Sequence, residues 1–190
     1  IWLSHQEKDK YWLQGTISKN YNLIKCPVFT TGGWADCWPN TVGRLVSNLN
    51  TNVKGISGPW GHNYSCFAKP GPQIDFLNEC IKWWDKWLKN KNNSVEKDPK
   101  ITAFIRKSMK PNPFGVDRPG YWIKENSWPP KSNVNKNFYF NEKKLIKTKS
   151  TSKSKFVTFS SPQNTGYGSG EYMPWFVAGE GPELPTNQKN

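Results

Sequence analysis

Residues 23–62 read LIKCPVFTTGGWADCWPNTVGRLVSNLNTNVKGISGPWGH, and the changes of texture within them decide the fold class. Leu23 to Thr31 is a short apolar run closed by Gly32-Gly33, the pattern of a buried strand ending in a tight turn. From Pro39 to Leu49 the apolar residues Val42, Leu45, Val46 and Leu49 fall at helical intervals. Val53 to Gly58 reads as a second strand and runs into Pro59-Trp60-Gly61-His62. Strand, helix, strand over so short a stretch is one crossover unit of a parallel sheet, so the expected class is α/β.

Working outward, Pro72 to Asn90 predicts an amphipathic helix. Ile74, Leu77, Ile81, Trp84 and Leu88 fall in one row with Cys80 and Trp87 beside it, while Glu79, Lys82, Lys86 and Lys89 face away. A basic amphipathic helix can lie on a membrane, but the interspersed Asp75, Glu79 and Asp85 favour packing of the apolar row on a sheet. Upstream, residues 5–14 predict the end of a helix stopped by Gly15. After Asp98-Pro99 the texture changes. Ile101 to Ile105 and Asn137 to Phe140 are strand-like, and residues 141–155 read as an exposed Lys/Ser/Thr loop or hairpin tip. A boundary near residue 98 is therefore expected, between an α/β part and a β part.

Composition narrows the partners. The 190 residues carry 27 basic and 14 acidic side chains, a formal charge of +13. Only Arg44, Arg106 and Arg118 are arginine; the rest are lysine, a hydrated point charge rather than a fork for phosphate and guanine. Dispersed lysine beside 20 asparagines reads as solvated surface, and no nucleic-acid partner is expected. Eleven tryptophans argue for packed structure rather than disorder. No run of 18 apolar residues exists, so neither a spanning helix nor a membrane partner is expected. Cys26, Cys37, Cys66 and Cys80 include no C-x-x-C pair, and with two histidines no zinc site of usual spacing is expected. They read as reduced, mostly buried thiols, with one disulfide left open.

Chemistry points to two loops. Asp36 follows the first strand and His62 the second. In a parallel sheet the loops at the carboxyl ends of neighbouring strands converge, and Asp before His suits the order Ser, Asp, His of an α/β-hydrolase triad. Gly32-Gly33 is expected to let the chain turn before Asp36, and Gly61 to leave the His62 backbone open. Trp34, Trp38 and Trp60 flank these loops as candidates for an aromatic substrate pocket, with packing of the sheet edge as the plain alternative.

Three stretches, Gly32-Gly33-Trp34-Ala35-Asp36, Gly58-Pro59-Trp60-Gly61-His62 and Trp83-Trp84-Asp85-Lys86-Trp87-Leu88-Lys89, resemble consecutive landmarks of the Xaa-Pro dipeptidyl-peptidase and cocaine-esterase (CocE/NonD) hydrolases. The resemblance implies that Asp36 and His62 are triad members. Gly120-Tyr121-Trp122 and Ser127-Trp128-Pro129 resemble the start of that family's C-terminal jelly roll, and His5, Asp9, Tyr11 and Trp12 the last helix of its helical cap. It implies residues 1–20 as the end of the cap, 21–97 as the C-terminal part of the α/β-hydrolase domain, and 98–190 as the incomplete first part of a β-sandwich jelly roll.

Departures from the family pattern are also visible. Cys37 and Trp38 follow the Asp where smaller or different residues are common, and Asn187-Gln188 stands where the family usually has Asp-Gln. Ser4 and Ser18, the serines preceding Asp36, lack flanking glycines, and neither Ser57 nor Ser169 fits a G-x-S-x-G elbow before the Asp. The nucleophile is therefore expected outside this chain, and the chain alone is expected to be poorly folded and inactive.

The expected function is that of a serine hydrolase acting on an ester or amide, including a prolyl dipeptide bond, through an acyl-enzyme to which this chain contributes Asp and His. The mechanism needs no cofactor and no metal. The expected partner is a small-molecule or short-peptide substrate in the cytoplasm, with a homo-oligomer left open. The alternatives are a non-enzymatic relative acting as a structural or binding module, a Trp-rich carbohydrate-binding β module, and a cysteine hydrolase using Cys37 or Cys66 with His62.

Overall fold

A computed structural model of the protein describes residues 1–109, 117–140, 144–149 and 160. The crossover unit is present as β1 (Val28–Gly33), α2 (Thr41–Asn48) and β2 (Val53–Gly58), preceded by a single helical turn, α1 (Lys10–Leu13). The first strand starts later than its apolar run suggests, because Tyr21–Leu23 form a 3-10 turn and Pro27 has no N–H for a ladder. In residues 5–14 only Lys10–Leu13 are helical: the Asp9 carboxylate caps the Tyr11 N–H, and His5 Nδ1 lies 2.5 Å from the other Asp9 oxygen.

β1 and β2 pair in parallel from Val28 opposite Val53 to Gly33 opposite Gly58. β3 (Ile101–Arg106) adds in parallel to β2, and β4 (Gly120–Glu125) adds antiparallel to β3, giving one four-stranded sheet in the order β1-β2-β3-β4. The sheet thus continues past residue 98, with β3 and β4 paired into the same sheet as β1 and β2. β3 is still a parallel strand, reached from β2 through α3 (Phe76–Trp87); the switch to antiparallel pairing, which needs no helical crossover, comes between β3 and β4. β5 (Tyr139–Phe140) and β6 (Leu145–Ile146) pair antiparallel, and most of the 141–155 stretch expected as an exposed loop or hairpin tip lies outside the described residues. The stretch from Gly181 to Gln188 lies outside the described residues.

Alternation of side chains along β1 and β2 loads both faces. On one face Val28, Val53 and Ile101 pack with Val42 and Val46 of α2 and with Leu49, which caps its C-terminus. On the other, Phe29 stacks on Phe76 and meets Trp83 at a tilt, both on α3, and Ile56 packs with Trp60 and Ala68. β2 is buried at all six positions, as a central parallel strand covered on both faces should be. Trp128 packs on α2 from the loop after β4, where Ser47 Oγ donates to its carbonyl at 2.7 Å.

α3 is one turn shorter at its start than its periodicity suggests, since the Asp75 carboxylate caps it by accepting from Asn78 N–H. Its orientation corrects the sequence reading. The row Leu77, Ile81, Trp84 and Leu88 is exposed, from 57% to 77%, while Trp83 is the buried residue of the helix. The helix carries two adjacent apolar rows, and the sheet takes the one through Phe76 and Trp83, which meet Phe29. Glu79, expected to face away, accepts a hydrogen bond from buried Lys54 of β2 at 2.7 Å, and Lys54 also bonds Asp98. No helix among the described residues is long and apolar enough to cross a membrane. All four cysteines are free; Cys26 is exposed and the other three half-buried, so the expectation of mostly buried thiols does not hold.

Candidate functional site

The site follows from the register. Because Gly33 and Gly58 are partners at the last rung of the β1–β2 ladder, both strands deliver their loops to one carboxyl edge at the same height. The ladder continues past the strands: Trp34 N–H donates to Gly58 O at 2.9 Å, and Ala35 N–H to Trp60 O at 3.0 Å. The glycines do not act by permitting a sharp turn, as their position before Asp36 suggested. Gly32 and Gly33 lie within the extended strand β1, and at Gly33 the need is space, since a Cβ would sit 1.9 Å from the Trp60 carbonyl oxygen.

Asp36 sits in the tight turn after β1. Its Oδ1 accepts from the Trp38 N–H at 2.9 Å, which fixes the carboxylate plane and directs Oδ2 to His62 Nδ1 at 3.0 Å. The Asp36 side chain is 13% exposed and that of His62 46%. The His62 loop is held by Gly61 N–H donating to Lys69 O. The two residues singled out in the sequence are therefore hydrogen-bonded across 26 positions. They line a cavity of about 390 Å³ with Thr31, Trp60, Tyr64 and Ser65.

The three tryptophans have different surroundings. Trp38 is 57% exposed and stands edge-on to the His62 ring, with centroids 5.1 Å apart. Trp60 lines the cavity but is almost fully buried at 1%, its Nε1 donating to Pro72 O and its indole against Trp122. Trp34 donates from Nε1 to Phe104 O at 2.7 Å and lines a separate cleft against α2 with Trp128 and Ser57. Of the three, Trp38 is the one in ring contact with the histidine. Ser65 was missed by sequence reading. It is 2% exposed, and only the fold of the loop after His62 brings it to the cavity.

Cys37 adjoins the pair. Burial, and then the hydrogen-bonded Asp36 carboxylate beside it, push its thiol up to about 11. That leaves it almost wholly protonated at neutral pH, the opposite of what a cysteine nucleophile requires.

Residues 1–64 match the family model of X-Pro dipeptidyl-peptidase (S15 family). Two crystal structures of a CocE/NonD family hydrolase from Staphylococcus aureus superpose on the chain. One gives a TM-score of 0.53 at 16% identity over 68% of this chain and 21% of the other. The second gives 0.55 at 17% identity over 79% and 25%. The family model thus covers about a third of the chain, and the two structures, at 16% and 17% identity, show a shared fold. The chain spans only about a fifth to a quarter of the length of those two structures. No curated protein matches it.

Proposed function

We propose that this chain carries the acid and base of a serine hydrolase of the Xaa-Pro dipeptidyl-peptidase/CocE/NonD type. The observation that carries the reading is the 3.0 Å contact between Asp36 Oδ2 and His62 Nδ1 at the carboxyl edge of two parallel strands. With Nδ1–H donated to Asp36, the proton-accepting atom of the imidazole is Nε2. A serine from a part of the protein outside this chain attacks an ester or amide carbonyl, and Nε2 takes its proton. Asp36 fixes the tautomer and stabilises the imidazolium, which then protonates the leaving group. Water, deprotonated by the same histidine, releases the acyl group. No cofactor or metal takes part in this mechanism. Trp38 is well placed to border a small-molecule or short-peptide substrate, including a prolyl dipeptide. The same reading takes residues 98–190 as the incomplete first part of a C-terminal jelly roll.

The test is to translate the coding DNA upstream of Ile1 in frame, then express the whole product with and without His62→Ala. Cleavage of a p-nitrophenyl ester or a prolyl dipeptide p-nitroanilide, lost in the variant and dependent on an upstream G-x-S-x-G serine, is expected. Absence of an upstream elbow, or activity unchanged by His62→Ala, overturns the reading.

A further inference from the structure

Spacing in the sequence offers no metal site, yet among the described residues folding brings one set of mixed donors together. One carboxylate oxygen of Asp36, Sγ of Cys37 and one ring nitrogen of His62 all lie within 4.8 Å of one another. Tetrahedral zinc, with bonds of roughly 2.0–2.3 Å, holds its donors about 3.3–3.7 Å apart. The Asp36 Oδ2 to His62 Nδ1 distance of 3.0 Å is already near that range. The remaining adjustment falls on the Cys37 side chain and on a His62 ring that is 46% exposed. Asp36 is braced from behind by the Trp38 N–H on Oδ1, an outer hydrogen bond that leaves Oδ2 turned to His62 Nδ1.

We propose that Asp36, Cys37 and His62 form a binding site for a borderline divalent cation such as Zn²⁺. Thiolate, imidazole and a single carboxylate suit zinc or cobalt, whereas calcium and magnesium require a shell of oxygen ligands. On binding, the metal forms bonds to Asp36 Oδ2, Cys37 Sγ and His62 Nδ1. The Cys37 thiol gives one proton to solvent, and the neutral imidazole passes its single proton from Nδ1, where it faces Asp36 in the metal-free pair, to Nε2 through solvent. The +2 charge of the ion is balanced by one carboxylate and one thiolate, and water fills the fourth position. The further consequence rests on the proposed function. An imidazole bonded through Nδ1 and protonated on Nε2 has no site for a serine proton, so the ion is an inhibitor and the Cys37 thiol confers the sensitivity.

Co²⁺ titration of the full chain under reducing conditions tests the site without any nucleophile or substrate. One equivalent is expected to produce a sulfur-to-cobalt charge-transfer band and tetrahedral d–d bands, both bleached by Zn²⁺. Cys37→Ser removes the charge-transfer band and weakens Zn²⁺ binding by at least the roughly 10- to 100-fold that loss of an outer-shell partner costs. A variant with Cys26, Cys66 and Cys80 all changed to Ser keeps the band, which separates ligand loss from misfolding. No charge-transfer band in the unchanged chain, a band that survives Cys37→Ser, or a band lost when the other three thiols are removed overturns the proposal. These results are independent of whether an upstream serine exists, so failure of the metal site and failure of the hydrolase reading are distinguishable.

Discussion

Gly33 of β1 and Gly58 of β2 face each other on the last rung of the parallel ladder, and the Trp60 residue that follows β2 occupies the space both lack. The Trp60 carbonyl lies where a Gly33 Cβ would be, and its indole where a Gly58 Cβ would be. Trp60 is thereby clamped between two backbones, and His62 follows two residues later.

Gly33→Ala is expected to cost at least the roughly 1–3 kcal/mol of an overpacked core, because a backbone atom rather than a flexible side chain must move. Urea unfolding of this variant against Gly15→Ala measures it. A Cβ at Gly15 meets its nearest neighbour at 4.0 Å, so that change should stay within about 0.5 kcal/mol. Equal midpoints for the two variants would remove the clamp from the account.

Asp36→Asn keeps the shape of the turn but replaces the oxygen that accepts from His62 Nδ1. In the protein together with its serine, kcat is expected to fall by up to roughly 10⁴-fold through the wrong tautomer, with KM little changed. Near wild-type turnover would take Asp36 out of the mechanism.

The Cys37 thiol, held near 11 by burial and by Asp36, should be the slowest of the four to alkylate at neutral pH. Exposed Cys26 should react first. Asp36→Asn removes the second cause and leaves the first, so it should accelerate Cys37 alkylation partway. Peptide mapping after a timed pulse of iodoacetamide reads both effects, and a Cys37 that reacts as fast as Cys26 contradicts them.

The site was more legible than its surroundings. Asp36 and His62 could be placed from the chain because strand ends are marked by local signals, and parallel register then brings the two loops together. α3 shows where such reasoning stops. Periodicity revealed an apolar stripe but could not say which of two adjacent rows, Phe76/Trp83 or Leu77/Ile81/Trp84/Leu88, meets the sheet. Phe29 and Lys54 decide it, by offering an aromatic face and a buried ammonium that requires Glu79. The pairing of β3 with β2 was hidden for a similar reason: a strand's own sequence does not name its neighbour. The Asp36–Cys37–His62 set was invisible to spacing rules because its third member lies in another loop.

Lys54 gives the sheet a pH signature. Burial alone would lower its ammonium, but the bonds to Asp98 and Glu79 outweigh it and hold Lys54 above its ordinary 10.5. Burial likewise pushes Glu79 up, and Lys54 more than offsets this, leaving the carboxyl below its ordinary 4.5. The Glu79 contribution is therefore present above 4.5 and lost as pH falls through the lowered value, while that of Lys54 is present below 10.5 and lost as pH rises through the raised one. Glu79→Gln should lower stability near neutrality by no more than about 3 kcal/mol, since Asp98 still pairs with the lysine, and should flatten the acid limb. Urea midpoints across pH would show this, and an acid limb of unchanged slope would place its origin elsewhere.

The exposed row of α3 sets an expectation for solution behaviour. Leu77, Ile81, Trp84 and Leu88 lie at intervals of four, three and four residues on one helix face, each more than half exposed. A contiguous apolar strip of that kind promotes association, and the chain should self-associate in sedimentation velocity as its concentration rises. Replacing Ile81 with Lys and Trp84 with Glu should suppress that association while leaving the unfolding free energy read from urea titration within about 0.5 kcal/mol of the parent, because both side chains are more than half exposed. If the unfolding free energy drops by several kcal/mol instead, the row is a core face of the chain, and the packing of α3 through Phe76 and Trp83 is the wrong one.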